Sequence, residues 1–351
     1  MRINILLPSF SKTPIGGYKV QYEYANRLVA LGHTVAIYHS LDIGGWILRH
    51  PKYLRELGRR CSFGQQVIPW FSLNSAVRCR LVPLLHPRLM KAADVTILTG
   101  YQTAEAVTAA TRRTGRLFQI VYDYEFWRFG GAEIRGRIER SLRRSDVQHI
   151  AGSSAIGEML GEVGVQSVVL VTSGVDVPQH QSSSPRSNTV AFPLRSGSYK
   201  GAAEMLAAIP MIQDRHHNVE FECFGENAGF DFPPGLIVHG YLQDDDLLAL
   251  YRRCKVFVLP SHAEGWGLPA VEAMANGAAV VVADNGGSRD FAVDGETAVI
   301  VPIRDPEAIA DAVSRLLSDD TLRSTVIAGG IKRTAEMSWD RSTAELLTVL
   351  V

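Results

Sequence analysis

Glu264 and Glu272 bracket a Gly-Trp-Gly turn and a proline in "SHAEGWGLPAVEAMANGAAVVVAD", with seven residues between them. A carboxylate accepts hydrogen bonds at both oxygens, so two of them can hold sugar hydroxyls in bidentate fashion. Upstream, "CKVFVLPS" reads as a buried strand ending at a proline, and downstream "PAVEAMANG" reads as a helix. Pro269 suits the first helical position and Gly277 the end. Both acids therefore lie where a strand feeds a helix. The first amides of such a helix are unpaired and carry partial positive charge. Gly265 and Gly267, with no Cβ, let a bound anion approach the backbone closely. The site suits phosphate with hydroxyl-bearing rings attached; a plain strand-to-helix turn with two surface glutamates is the bland alternative.

A second pair points the same way. "LRSGSYKG" sets Arg195 and Lys200 five apart, after a strand and at the mouth of a helix. A planar guanidinium fork and a mobile ammonium together suit a diphosphate. The run "QDDDL" could suggest a metal, but three acids just before "LLALYRRCK" are what a helix start wants electrostatically. No pair of the ten histidines has zinc-ligand spacing, and no metal site is expected.

The elements that must position these residues alternate between strand and helix. "RINILLP", "TVAIYHS", "DVTILTG", "LFQIVYD", "VQHIAGS" and "SVVLVTSGV" read as strands of one parallel sheet. "VPQHQSSSPRSNT" is polar and Ser/Pro-rich, and reads as a linker over residues 176–189. The alternation then restarts with "TVAFPLR", "VEFECFG", "LIVHGY", "CKVFVLP", "AAVVVAD" and "AVIVP". Two doubly wound α/β domains follow, residues 1–175 and 190–336, facing each other across a cleft. Ligands of such sheets sit outside the carboxyl ends of the strands.

Charge divides the same way. Residues 1–175 hold 22 Lys+Arg against 12 Asp+Glu, and the remainder holds 14 against 24, although the whole chain is neutral. Residues 43–93 alone carry Arg49, Lys52, Arg55, Arg59, Arg60, Arg78, Arg80, Arg88 and Lys91 against one acid, Glu56. Trp46, Tyr53, Phe63, Trp70 and Phe71 lie among them. Cations interleaved with aromatics suit an anionic membrane surface, where each basic residue adds about 1 kcal/mol. A solvated arginine-rich face is the plainer alternative. No nucleic-acid recognition module accompanies the charge. Cys61, Cys79, Cys223 and Cys254 are scattered without a CxxC pair, which fits a reducing cytoplasm. "INILLP" is too short for a signal peptide, and no run reaches membrane-spanning length.

The segment "PSHAEGWGLPAVEAMANGAAVVVADNGG" resembles the signature of the retaining family 4 glycosyltransferases, which have the two-Rossmann GT-B fold. The likeness is dense from about residue 190 to the end and thin before it. It implies that Glu264 contacts the transferred sugar of a nucleotide donor and Glu272 the ribose. It implies that Arg195 and Lys200 neutralise the leaving diphosphate, and that Gly16 and Gly17 lie beside the donor phosphates. Tyr241 and Leu242, in "VHGYLQDDDLLALYRRCKVFVLPS", and Gly265, Trp266, Gly267 and Leu268 join the implied donor site. Trp266 stands where the family has Phe. "MSWDRSTAELLTVLV", residues 337–351, resembles the family's terminal helix, which crosses back to the first domain.

The family's histidine near the reacting sugar is replaced by Tyr122, followed by Asp123, Tyr124 and Glu125. That "YDYE" run is similar to a subset using thymidine-diphosphate rhamnose. Asp123, with Tyr124 and Glu125, is the candidate for positioning the acceptor or acting as base; a loop cap is the bland alternative for Asp123. The implied reaction moves a sugar to an acceptor hydroxyl on a carbohydrate or lipid-linked glycan, with no cofactor beyond the nucleotide sugar. A nucleotide-sugar epimerase of the same fold, or a non-catalytic scaffold, are the competing readings. An NAD-dependent oxidoreductase fits less well, because neither half carries GxGxxG after its first strand.

Overall fold

The structure, a computed structural model, describes residues 1–41, 66–178, 186–226 and 229–351. The chain divides into two compact units, one of Met1–Thr172 with Asp340–Val351, the other of Ser173–Trp339.

The first unit holds a seven-stranded parallel sheet: β1 (Arg2–Leu7), β2 (Thr34–Ser40), β3 (Arg78–Val82), β4 (Val95–Leu98), β5 (Arg116–Val121), β6 (Val147–Ala151) and β7 (Val168–Leu170). Their spatial order is 3-2-1-4-5-6-7. In register, Ile5 of β1 lies between Ile37 of β2 and Ile97 of β4. These central strands are buried almost end to end, because a parallel sheet covered on both faces needs apolar side chains on both. Helices α1 (Gly16–Ala30), α2 (Tyr101–Ala106), α3 (Tyr124–Phe129), α4 (Gly131–Leu142) and α5 (Ser154–Val163) connect them. The final helix, Trp339–Leu350, is fixed to this sheet's unit by polar contacts. Tyr24 and Ser342 share a hydrogen bond of 2.7 Å, and Arg116 donates to the carbonyls of Leu350 and Val351.

Strand β3, "RCRLV", was not expected. Its arginines alternate with Cys79 and Leu81, so a charged edge strand reads as a basic patch. Two further expectations for this segment are corrected. Trp70 and Phe71 are buried, not free to meet a membrane. Their rings lie 5.4 and 5.3 Å from that of Tyr22, and Trp70 donates its indole N–H to the Ser11 carbonyl. A large aromatic surface next to an apolar helix gains more by packing there than by facing water. Arg88 and Lys91 are exposed. Trp46, Arg49, Lys52, Tyr53, Arg55, Glu56, Arg59, Arg60, Cys61 and Phe63 lie outside the described residues.

The second unit repeats the plan with β8 (Ser187–Leu194), β9 (Glu220–Gly225), β10 (Leu236–Val238), β11 (Cys254–Leu259), β12 (Ala279–Ala283) and β13 (Val299–Val301), in the order 10-9-8-11-12-13. Its helices are α6 (Ala202–Arg215), α7 (Asp244–Arg253), α8 (Leu268–Ala275), α9 (Pro306–Ser318) and α10 (Asp320–Ala335). Strand β8 starts inside the segment read as linker. Ser187 pairs with Cys254, and its hydroxyl donates to the Arg253 carbonyl, which gives this polar end a place in the sheet. The core packs Phe192, Val256, Val258 and Val281 of the sheet against Met205, Ile209 and Ile212 of α6 and Val313 and Leu316 of α9. Each such side chain contributes about 1.5–3 kcal/mol on burial. Among the described residues, no helix is long and apolar enough to cross a membrane.

Candidate functional site

The strand order of the second sheet reverses between β8 and β11, the point at which loops diverge and leave a crevice at the carboxyl edge. Arg195 and Lys200 follow β8, and Glu264 follows β11. The two loops are pressed together at Gly201. This residue has a left-handed φ of 70°, and a Cβ on it would run into the carbonyl of Pro260. Only glycine lets the turn after Lys200 lie on the loop that carries Glu264. His262 reinforces the contact by donating its backbone N–H to the Tyr199 carbonyl at 2.8 Å.

A third loop, after β12, closes on the same residue. Glu264 N–H donates to the Asn285 carbonyl at 3.2 Å. A Cβ on Gly287 would stand 2.5 Å from the Glu264 carbonyl oxygen. Asn285 and Gly287 were not singled out from the sequence, although the "DNGG" turn following a buried strand was the available signal.

The side chains meet at Glu264. Lys200 Nζ lies 3.1 Å from its Oε2, and an Arg195 guanidinium nitrogen lies 3.4 Å from Oε1. The Glu264 side chain is 7% exposed, against 12% for Lys200 and 32% for Arg195. Burial pushes the Glu264 carboxyl up, but the fields of Lys200 and Arg195, with hydrogen bonds from Ser261 and Lys200, outweigh it and hold the group below the usual range. Glu264 is thus ionised, and two cations meet one carboxylate. Lys200 also sits 5.1 Å from the Tyr199 ring centroid.

Gly265, Trp266 and Gly267 carry the chain from Glu264 into α8, and all are buried. Gly267 is the N-cap with φ of 94°, Leu268 is the first helical residue, and Pro269 occupies the next position. The helix ends in a Schellman turn: Gly277 N–H donates to Met274, and Ala278 N–H to Ala273. Glu272, half-buried on α8, accepts from the Tyr251 hydroxyl at 3.2 Å. Burial and the Glu272 charge push the Tyr251 hydroxyl's pKa well up, so it stays a donor. Tyr251 is a positioning partner of Glu272 that sequence reading missed; its signal was an aromatic on the apolar face of "LLALYRR".

Three buried donors near this loop lack acceptors among the described residues: Trp266 Nε1, Asn285 Nδ2 and the ring of His262. His262 Nε2 lies 3.1 Å from Glu204 but out of hydrogen-bond geometry. Tyr241 and Leu242 follow β10, two places from β8 in the sheet, and Tyr241 is exposed. Asp244, Asp245 and Asp246 form the exposed first turn of α7, with Gln243 at the N-cap. Among the described residues, no group of three His, Cys, Asp or Glu could hold a metal ion.

In the first unit, Gly16 and Gly17 are the first two residues of α1 and not a left-handed turn. Nothing lies within 4 Å of where their Cβ atoms would be, so the space beside them is open. The loop leading to them is held by His39 Nδ1, which donates to the Ser9 carbonyl at 2.7 Å, and by a 2.8 Å bond between Ser9 and Tyr18 hydroxyls. Asp123 lies at the N-cap of α3, but its carboxylate turns to the next loop and accepts from Tyr101 N–H at 2.9 Å. It is 5% exposed. Burial lifts its pKa to about 7, against the Tyr101 hydrogen bond and with help from the Glu125 charge. Tyr124 is buried, its hydroxyl accepting from Arg128 at 2.8 Å, while Glu125 is half-buried in the first turn of α3.

Residues 177–333 match the family model described as Glycosyl transferases group 1. Over 379 aligned positions, covering 99% of this chain and 93% of the relative, the chain is 27% identical to phosphatidyl-myo-inositol mannosyltransferase of Mycolicibacterium smegmatis. The chain is a glycosyltransferase. A second relative, D-inositol 3-phosphate glycosyltransferase of Salinispora arenicola, is 42% identical over 105 residues, which are 30% of this chain and 23% of the relative. The chain thus spans about a quarter of that relative's length. Among solved structures, HepE of Anabaena in complex with UDP-glucose superposes with a TM-score of 0.74 at 15% identity, covering 100% of this chain and 99% of that one. The glycosyltransferase has the GT-B fold: two parallel sheets, each in the Rossmann order.

Proposed function

We propose that this glycosyltransferase moves a sugar from a nucleoside diphosphate, bound by the second unit, to an acceptor hydroxyl bound by the first, with retained anomeric configuration. The observation that carries the reading is the convergence of Lys200 and Arg195 on Glu264 beside the N-terminus of an eight-residue helix at the switch point. A diphosphate in that crevice meets two cations and the helix's positive end. The attached sugar meets Glu264, and the ribose meets Glu272.

As the bond from anomeric carbon to phosphate oxygen breaks, charge accumulates on the leaving diphosphate. Lys200, Arg195 and the α8 amides oppose it, the electrostatic contribution that is usually largest in catalysis. These groups supply the positive field that a divalent cation supplies elsewhere, so we propose turnover without added metal. The acceptor oxygen bonds to the anomeric carbon on the face the diphosphate leaves, and its proton passes to the departing phosphate. Asp123 orients that hydroxyl. Its pKa of about 7 leaves it divided between acid and base near neutrality.

The Anabaena neighbour's UDP-glucose and the mycobacterial relative's name support a nucleotide-sugar donor and a carbohydrate or lipid-linked acceptor. A thymidine-diphosphate rhamnose donor and a peripheral membrane location through residues 43–93 are the finer proposals. The experiment is turnover with a panel of nucleotide sugars, read as nucleoside diphosphate release with and without candidate acceptors. Lys200→Ala should lose at least about a hundredfold in kcat, the scale for removing a charge stabiliser at the reacting centre, while still unfolding in a single cooperative transition. An unimpaired variant would mean that the diphosphate is held elsewhere. Conversion of donor to its epimer without acceptor would favour the epimerase reading.

A further inference from the structure

In the ligand-free protein, both cations assigned to the diphosphate are already engaged by Glu264: Lys200 at Oε2, Arg195 at Oε1. The carboxylate sits in a closely packed place, only 7% exposed. Its backbone is bonded to Asn285, pressed by Gly287 and followed by buried Gly265 and Trp266. Glu264 therefore lies within reach of Lys200 and Arg195 at the moment a ligand arrives. An incoming diphosphate must share the cations with this carboxylate or displace it from them. The same carboxylate is there to reclaim them when the product is ready to leave.

We infer that Glu264 is a built-in electrostatic competitor of the nucleoside diphosphate product, weakening its grip on Lys200 and Arg195 and so setting the rate of its release. This deepens the proposed donor site and rests on it. Two cations and one carboxylate leave a net charge of one on the cluster, enough to attract the diphosphate without trapping it. With a nucleotide sugar bound, the sugar hydroxyls occupy the carboxylate and the competition is relieved. With the bare diphosphate, nothing occupies it. The device thus favours donor over product, which a pair of unopposed cations would not.

The test is calorimetric titration of UDP, GDP, ADP and dTDP into the full-length wild type and Glu264→Gln, in low and physiological salt, with melting curves to confirm folding. Glutamine keeps the shape and removes the charge. The diphosphate that the wild type prefers should bind Glu264→Gln about tenfold or more tightly, the order expected for removing one negative charge about 6 Å from the ligand where water still screens the field in part. Its dissociation, followed by stopped-flow displacement, should slow in proportion, even though sugar transfer is lost. In a Lys200→Ala background the same change should give less than about threefold, because its main target is gone. Equal or weaker binding to Glu264→Gln, with the wild type binding normally, would overturn the inference and leave the donor site standing; Glu264 would then only hold the cations in place. Failure of every diphosphate to bind either protein would remove the donor site, and the inference with it.

Discussion

Asp123→Asn tests the first unit most sharply, because its effect on stability must depend on pH. The native carboxyl has a pKa of about 7 against an ordinary value of 3.8, chiefly because it is buried. The folded protein therefore binds this proton more tightly than the unfolded chain does. Stability from the neutral carboxyl is complete below about pH 3.8, declines as pH rises, and is gone once pH passes about 7. At 1.36 kcal/mol per pH unit the two values set a ceiling of about 4 kcal/mol, and relaxation around the charge should bring the measured figure to about half of that. Asparagine stays neutral throughout, and its side-chain oxygen can still accept from Tyr101 N–H. In urea titrations, wild type and variant should nearly coincide at pH 4.5. By pH 8 the variant should be the more stable by about 2 kcal/mol or more. A difference that stays constant from pH 4.5 to 8 would show that the carboxyl is not held neutral by burial, and the argument from its environment would fall. If Asp123 also orients the acceptor, the stabler variant should be the poorer enzyme.

Gly201→Ala should destabilise the second unit by about 2–4 kcal/mol, since it adds a left-handed strain to a clash with the Pro260 carbonyl; a melting curve matching wild type would deny the close approach of the two loops. Trp266→Phe deletes a buried N–H that has no acceptor among the described residues, so relief of that donor should offset much of the lost packing and hold the change within about 1 kcal/mol by denaturant titration. A loss above about 3 kcal/mol would imply that the indole N–H has a strong partner. For the membrane proposal, sedimentation should show binding to anionic vesicles at low salt that falls as salt rises. Equal binding to neutral vesicles would remove the idea. Arg78→Ser with Arg80→Ser should weaken such binding by about fivefold or more, because each basic residue near an anionic surface adds about 1 kcal/mol, and a loss within about twofold would remove those two arginines from the interface.

Much of the second unit was legible in sequence because its elements carry unambiguous signals. "CKVFVLPS" and "AAVVVAD" are apolar runs that only a doubly covered strand can use, and Pro269 and Gly277 mark the start and end of α8. The first unit was harder. Strand β3 hid behind alternating arginines, since an edge strand needs apolar residues on only one side. Trp70 and Phe71 looked like interface residues because composition does not record that Tyr22 waits to pack against them. The spacing of Glu264 and Glu272, and of Arg195 and Lys200, pointed to the donor site proposed above. It did not announce that Glu264 would hold both cations, because that depends on Gly201 and Gly287 bringing three separate loops within touching distance. Contacts between loops far apart in sequence leave glycines as their only trace, and a glycine alone does not name its neighbour.

A crystal of the protein soaked with the nucleoside diphosphate it binds best bears most directly on the donor site. Phosphate oxygens should lie within hydrogen-bond distance of Lys200 Nζ and the Arg195 guanidinium, at the amino end of α8, with the ribose at Glu272. A diphosphate bound away from Lys200 and α8, with the Lys200–Glu264 pair undisturbed, would contradict the account.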